Sequence, residues 1–144
     1  EELYEIFSTF GEEERAGAIS HAIVSARRLK PITTSGELAA IVEGVVPSAI
    51  REGTLSRVYQ AIRIAVNGEL AALRAGLAGA KHVLLPGGRL VVISFHSLED
   101  RIVKMFFRQA KMNSITKVPL TARESELQNN RRARSAKLRV AENV

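Results

Sequence analysis

The 144-residue chain contains no cysteine. That excludes a disulfide framework and a thiolate metal site, and it fits a reducing compartment. No run of about eighteen apolar residues occurs, so no membrane span is expected. No secretory signal is visible, and the expected setting is cytoplasmic, in a bacterium or an organelle. The first residue is Glu1 rather than Met, so the natural start is expected upstream. There is no internal repeat and no low-complexity segment. His21, His82 and His96 lack ligand spacing to one another, so no metal site is expected. A Gly-x-Ser-x-Gly elbow is missing and the side chains of His96 and Ser97 diverge as neighbours, which argues against a nucleophilic triad. Lys and Arg are absent from the first fourteen residues, which carry six Glu.

What is present is a globular composition, 46% apolar and 25% charged. The length suits one domain or part of a larger one. Net charge is +6 and the pI is near 10.2, which favours a polyanionic partner such as nucleic acid.

Hydrophobic spacing predicts helices over residues 2–10, 12–29 and 35–46. Thr33 or Thr34 can cap the third, with Glu37 placed to cap in return. A longer helical stretch, 56–84, shows Val58, Ile62, Ala65, Val66, Leu70, Leu73 and Leu77 on one face, interrupted by Glu69. Gly68 and Gly76 are its weak points. Pro86-Gly87-Gly88 reads as a turn into the strand Leu90–Phe95, whose unbroken apolar run predicts burial on both faces. Then follow a helix over 99–110, an irregular stretch with Pro119, one helical turn at 124–129, and a half-exposed strand at 136–141. That strand sets Ala136, Leu138 and Val140 against Lys137 and Arg139. Two strands do not make a stable sheet, so further strands from outside the chain are expected.

The predicted strand delivers Ser94, His96, Ser97, Glu99, Asp100 and Arg101 to its C-terminal end, where α/β proteins gather their chemistry. His96 can accept a proton from an amine or hydroxyl near neutral pH, and a purely structural histidine is the alternative. Glu99 and Asp100 suit a helix start through its dipole as well as they suit catalysis. Two basic features fit RNA. Arg57, Gln60, Arg63 and Asn67 form a polar stripe at helical spacing without a Glu; a solvent-facing helix is the alternative. Residues 130–139 include Arg131, Arg132, Arg134, Lys137 and Arg139, able to pair phosphates. No aromatic side chain interleaves there, so base stacking by that segment is not supported.

Three stretches carry a family resemblance: Tyr59 to Asn67, Pro86 to Arg101, and Arg132 to Arg139. Through them the chain resembles the RsmH (MraW) family of small-subunit ribosomal RNA (cytosine-N4-)-methyltransferases. Phe10 to Glu13 and Pro31 to Thr34 resemble that family's helical insertion. Gly53 to Ser56 and Arg131 depart from its usual residues, and the stretch between Ala110 and Lys117 is short.

The resemblance implies a partial class I S-adenosylmethionine-dependent methyltransferase fold, α/β and Rossmann-like. Its helical insertion subdomain would be residues 1–52, and residues 53–144 would form the C-terminal part of the methyltransferase domain. It implies an enzyme methylating the N4 amine of a cytidine, with this chain as the substrate-side half. S-adenosylmethionine would be bound mainly by the missing N-terminal half. His96, Ser97 and Ser94 are the candidate catalytic residues. Arg57, Arg63, Asn67, Arg132, Arg134 and Lys137 are the candidate RNA contacts. The expected partner is small-subunit ribosomal RNA or the ribosomal subunit, with a homodimer compatible. A non-catalytic RNA-binding or ribosome-assembly module is the alternative, and a helical docking protein is a third reading.

Overall fold

In the computed structural model, which describes residues 1–144, the chain divides into two compact units, Glu1–Glu69 and Leu70–Val144.

The first unit is helical. It contains α1 (Glu2–Thr9), α2 (Ala16–Leu29), α3 (Ser35–Val45) and α4 (Arg51–Asn67). Thr34 caps α3 as its sequence predicts: its hydroxyl accepts the Glu37 N–H at 3.2 Å, and Glu37 accepts the Thr34 N–H at 3.1 Å. Helix α2 starts later than its periodicity suggests, because Glu12 lies at φ 48° and breaks the entry turn. Phe7, Ile19, Val42, Val58 and Ala61 form the core. Helix α4 packs on α1 and α3 within this unit. Its buried face is Thr54, Val58, Ala61 and Ile64, while Val66 is exposed. The expected single face fails because the helix stops at Asn67. Gly68 then takes a left-handed conformation, φ 60°, which costs glycine no Cβ clash, and α5 (Glu69–Val83) begins afresh.

The second unit holds most of α5, then β1 (Arg89–Ser94), α6 (Ser97–Gln109), β2 (Asn113–Ser114), β3 (Leu120–Thr121), α7 (Glu124–Asn129) and β4 (Lys137–Glu142). Gly87, at φ 78°, makes the turn into β1. Strand β1 runs antiparallel to β4, pairing Arg89 with Glu142 and Ser94 with Lys137. The short β2 and β3 pair antiparallel with the other side of β4. The chain thus forms a small open antiparallel sheet from four of its own strands, including two too short for a periodicity argument to find. Its core is Leu77, Val103, Phe107, Met112 and Ala141.

Two strand expectations are corrected. β1 is not covered on both faces: Leu90 and Val92 pack on the core, while Val91, Ile93 and the following Phe95 stay more than half exposed. In β4 the phase is reversed. Arg139 and Ala141 are buried, and Leu138 and Val140 are only half-buried, because Arg139 finds a carboxylate inside. No helix is long and apolar enough to cross a membrane.

Candidate functional site

The site is built where β1 hands over to α6. Ser94, the last residue of β1, is buried, and its hydroxyl donates to the Lys137 carbonyl at 3.4 Å on the paired strand. His96 is then the N-cap of α6. Its Nδ1 accepts the Glu99 N–H at 3.3 Å. Glu99 Oε2 returns the favour, accepting the Phe95 N–H at 2.8 Å and the His96 N–H at 3.3 Å. This is a capping box with histidine in the place usually taken by Ser or Thr. It satisfies donors that a helix start leaves open.

The cap has a chemical consequence. An imidazole that accepts at Nδ1 carries its hydrogen at Nε2 when neutral. That Nε2 is buried without a hydrogen-bond partner, on a side chain only 8% exposed, and Glu99 Oε1 lies 3.5 Å away. Ser97 is exposed at the first position of α6.

The next residue fixes the helix. Asp100 is buried and takes Arg139 in a two-pronged ion pair, Nε to Oδ1 at 2.6 Å and Nη2 to Oδ2 at 3.0 Å. Lys137 Nζ stands 3.9 Å from Oδ2. The Arg139 hydrogen bonds hold the Asp100 carboxyl below its ordinary range, against the opposing effect of burial. The same bonds push the Arg139 guanidinium up. Asp100 and Arg139 were missed as a pair by the sequence because they are 39 positions apart. The Glu three residues after His96 was the legible sign of the cap.

The sequence-predicted RNA residues fall in two places. In the first unit, Arg57 donates through Nε to the buried Glu13 at 2.7 Å and through Nη2 to Thr54 at 3.1 Å. Arg63 grips Glu69 with bonds of 2.8 and 3.1 Å, and Asn67 donates to the same carboxylate at 3.1 Å. The polar stripe therefore carries carboxylates supplied by neighbouring segments. In the second unit, residues Arg131–Ser135 form a 3-10 turn pinned by buried Ala133, with Asn130 accepting the Arg132 N–H at 3.2 Å. Arg131, Arg132 and Arg134 point outward around a depression of about 780 Å³ shared with Glu124 and Gln128. The glycine turn before β1 is not a ligand cradle. Gly87 N–H donates to the Asn143 carbonyl at 2.7 Å, and Gly88 N–H to the Leu85 carbonyl at 2.8 Å.

The site so defined is a histidine–carboxylate capping box at a strand-to-helix junction. The chain belongs to the MraW methylase family, whose sequence model matches residues 1–144. It is 47% identical over 164 residues to the ribosomal RNA small subunit methyltransferase H of Carboxydothermus hydrogenoformans, covering 99% of this chain and 53% of that protein. It is 54% identical over 145 residues to the protein of that name from a Synechococcus strain, covering 98% and 44%. The Oleidesulfovibrio alaskensis protein of that name is 44% identical over 167 residues, covering 100% and 51%. The chain spans about half the length of these curated relatives.

Proposed function

We propose that the complete protein methylates the N4 amine of a cytidine in small-subunit ribosomal RNA, and that this chain forms its substrate side. Its setting is the cytoplasm and its fold the class I methyltransferase type, to which the antiparallel β1–β4 pair and α6 would contribute one end. The observation that carries the reading is the His96–Glu99 box at the end of β1, in a chain of the MraW methylase family. S-adenosylmethionine would supply the methyl group and be bound mainly by residues outside 1–144.

The chain's own residues supply the rest. The N4 lone pair of cytosine is delocalised into the ring, so the amine must be oriented and its developing positive charge met by a fixed polar group. Ser94, His96 and Ser97 border the place where a base taken out of its stack would sit. Arg132, Arg134 and Lys137 of the same unit hold phosphates in this reading, Lys137 lying opposite Ser94 on the paired strand. Arg57, Arg63 and Asn67 of the first unit are the further RNA contacts in this reading, and each also binds a carboxylate of its own unit.

The test is N4-methylcytidine in small-subunit ribosomal RNA, measured by mass spectrometry with and without the complete gene. Loss on deletion and return on complementation is the expected result. An unchanged mark favours the second reading, a non-catalytic RNA-binding module, for which the outward arginines of the 131–135 turn are the supporting observation.

A further inference from the structure

We infer that His96 and Glu99 together read the amine-bearing edge of the target base, with His96 as a hydrogen-bond donor and Glu99 as the acceptor. The inference rests on the function proposed above and specifies how the site recognises its substrate.

The cap assigns the roles. His96 Nδ1 is occupied by the Glu99 N–H, so the neutral ring presents Nε2–H as a donor. It acts as a base in that state only if the cap breaks. Glu99 divides its carboxylate: Oε2 takes both backbone N–H groups of the cap, and Oε1 faces Nε2 at 3.5 Å. A buried donor without a partner is costly, so Nε2 is a position where an arriving acceptor is rewarded. The Glu99 side chain keeps 24% exposure, so the pair is not sealed from solvent at the Glu99 side chain.

An acceptor beside a donor matches a base that presents an amine hydrogen beside an unprotonated ring nitrogen. Cytosine does so with N4–H and N3. Glu99 Oε1 accepts the N4–H, and His96 Nε2–H donates to N3. Uracil presents a carbonyl and an N3–H in those positions and meets both groups with the wrong polarity. The assignment also gives the amine proton a destination. As the N4–carbon bond forms, the carbon–sulfur bond of the sulfonium donor breaks, sulfur keeps the electron pair, and the N4 proton passes to Glu99 Oε1.

Two substitutions separate reading from capping. Asn is as good an N-cap as Ser, and Gln replaces Glu in capping boxes, so His96→Asn and Glu99→Gln both keep the helix start. His96→Asn removes the imidazole donor. Glu99→Gln leaves an oxygen for the backbone and turns an amide NH₂ toward the base. The complete protein would be tested with S-adenosylhomocysteine and two RNA hairpins that differ only by cytidine or uridine at the target position. Binding is read by fluorescence anisotropy, and turnover is read on the cytidine hairpin.

The wild type is expected to prefer cytidine by about 5- to 150-fold, the span of one good paired contact. Each variant is expected to narrow that preference to within threefold, and Glu99→Gln to lower kcat by about 100-fold or more. The preference is a ratio within one protein, so a change in folded fraction does not alter it. Variants that keep both the preference and kcat within threefold of wild type would overturn the inference and leave the proposed function standing. A wild type that methylates no cytidine, in the hairpin or in small ribosomal subunits, would instead sink the function itself.

Discussion

Removing either partner of the Asp100–Arg139 pair strands a charge in the interior, and the surroundings decide which loss is worse. Both residues are under a tenth exposed, and the two bonds are 2.6 and 3.0 Å. Breaking a buried pair costs about 3–5 kcal/mol, mostly as an uncompensated charge. If Arg139→Met is made, Lys137 still stands 3.9 Å from Asp100 and supplies a countercharge. If Asp100→Leu is made, Arg139 and Lys137 face each other with nothing between. Asp100→Leu is therefore expected to be the more damaging by about 1 kcal/mol, and the double substitution to cost less than either alone.

Urea melts of the complete protein, as a double-mutant cycle, measure this. Single costs below about 1 kcal/mol that simply add would refute the account. The pH dependence has a definite sign. The folded Asp100 carboxyl is held below its ordinary value of about 3.9, so its contribution is fully present above that pH. It is lost as pH falls further, through the folded value. The raised Arg139 adds nothing in that range, since its own loss begins only in strong alkali.

Thr34→Ala removes one half of the α3 capping box and is expected to cost about 1 kcal/mol in a thermal or urea melt. The Lys30 hydrogen bond, with those of Thr33 and Thr34, holds the Glu37 carboxyl at about 2, so Lys30→Met should raise it toward the ordinary range in an NMR titration. Arg132→Ala and Arg134→Ala should weaken binding to ribosomal RNA fragments equally for cytidine- and uridine-containing sequences. Each should also reduce the salt slope of log K by about 0.7–0.9, as expected for a phosphate contact. A slope unchanged in both would remove the turn from the RNA path.

Local signals in the sequence located most elements. Thr34 with Glu37 and Pro31 with Pro47 bracket α3 because capping and helix breaking are decided within a few residues. The β1–α6 junction was legible for the same reason. Arg139 was not: alternation in 136–141 assigns the apolar residues to the inside, and only the distant Asp100 reverses the phase. The polar stripe of α4 shows the same dependence on distant residues. Its carboxylates, Glu13 and Glu69, come from other segments, so the stripe looks cationic when read alone. His96 was recognised as a candidate by its position, while the state of its two nitrogens needed coordinates.

The bare side of β1 has a practical bearing on how this polypeptide behaves in a test tube. Strand β1 is paired through β4 only, so its other row of backbone donors and acceptors is open, and Val91, Ile93 and Phe95 line the uncovered face. A six-residue strand without proline, with a bare apolar face, is an adhesive template for strand addition and fibril-like stacking. Residues 1–144 produced alone are thus prone to self-associate through Leu90–Ile93. A lysine at Val91 or Ile93 is the substitution that would make the isolated piece manageable, by putting a charge where a second strand would otherwise dock.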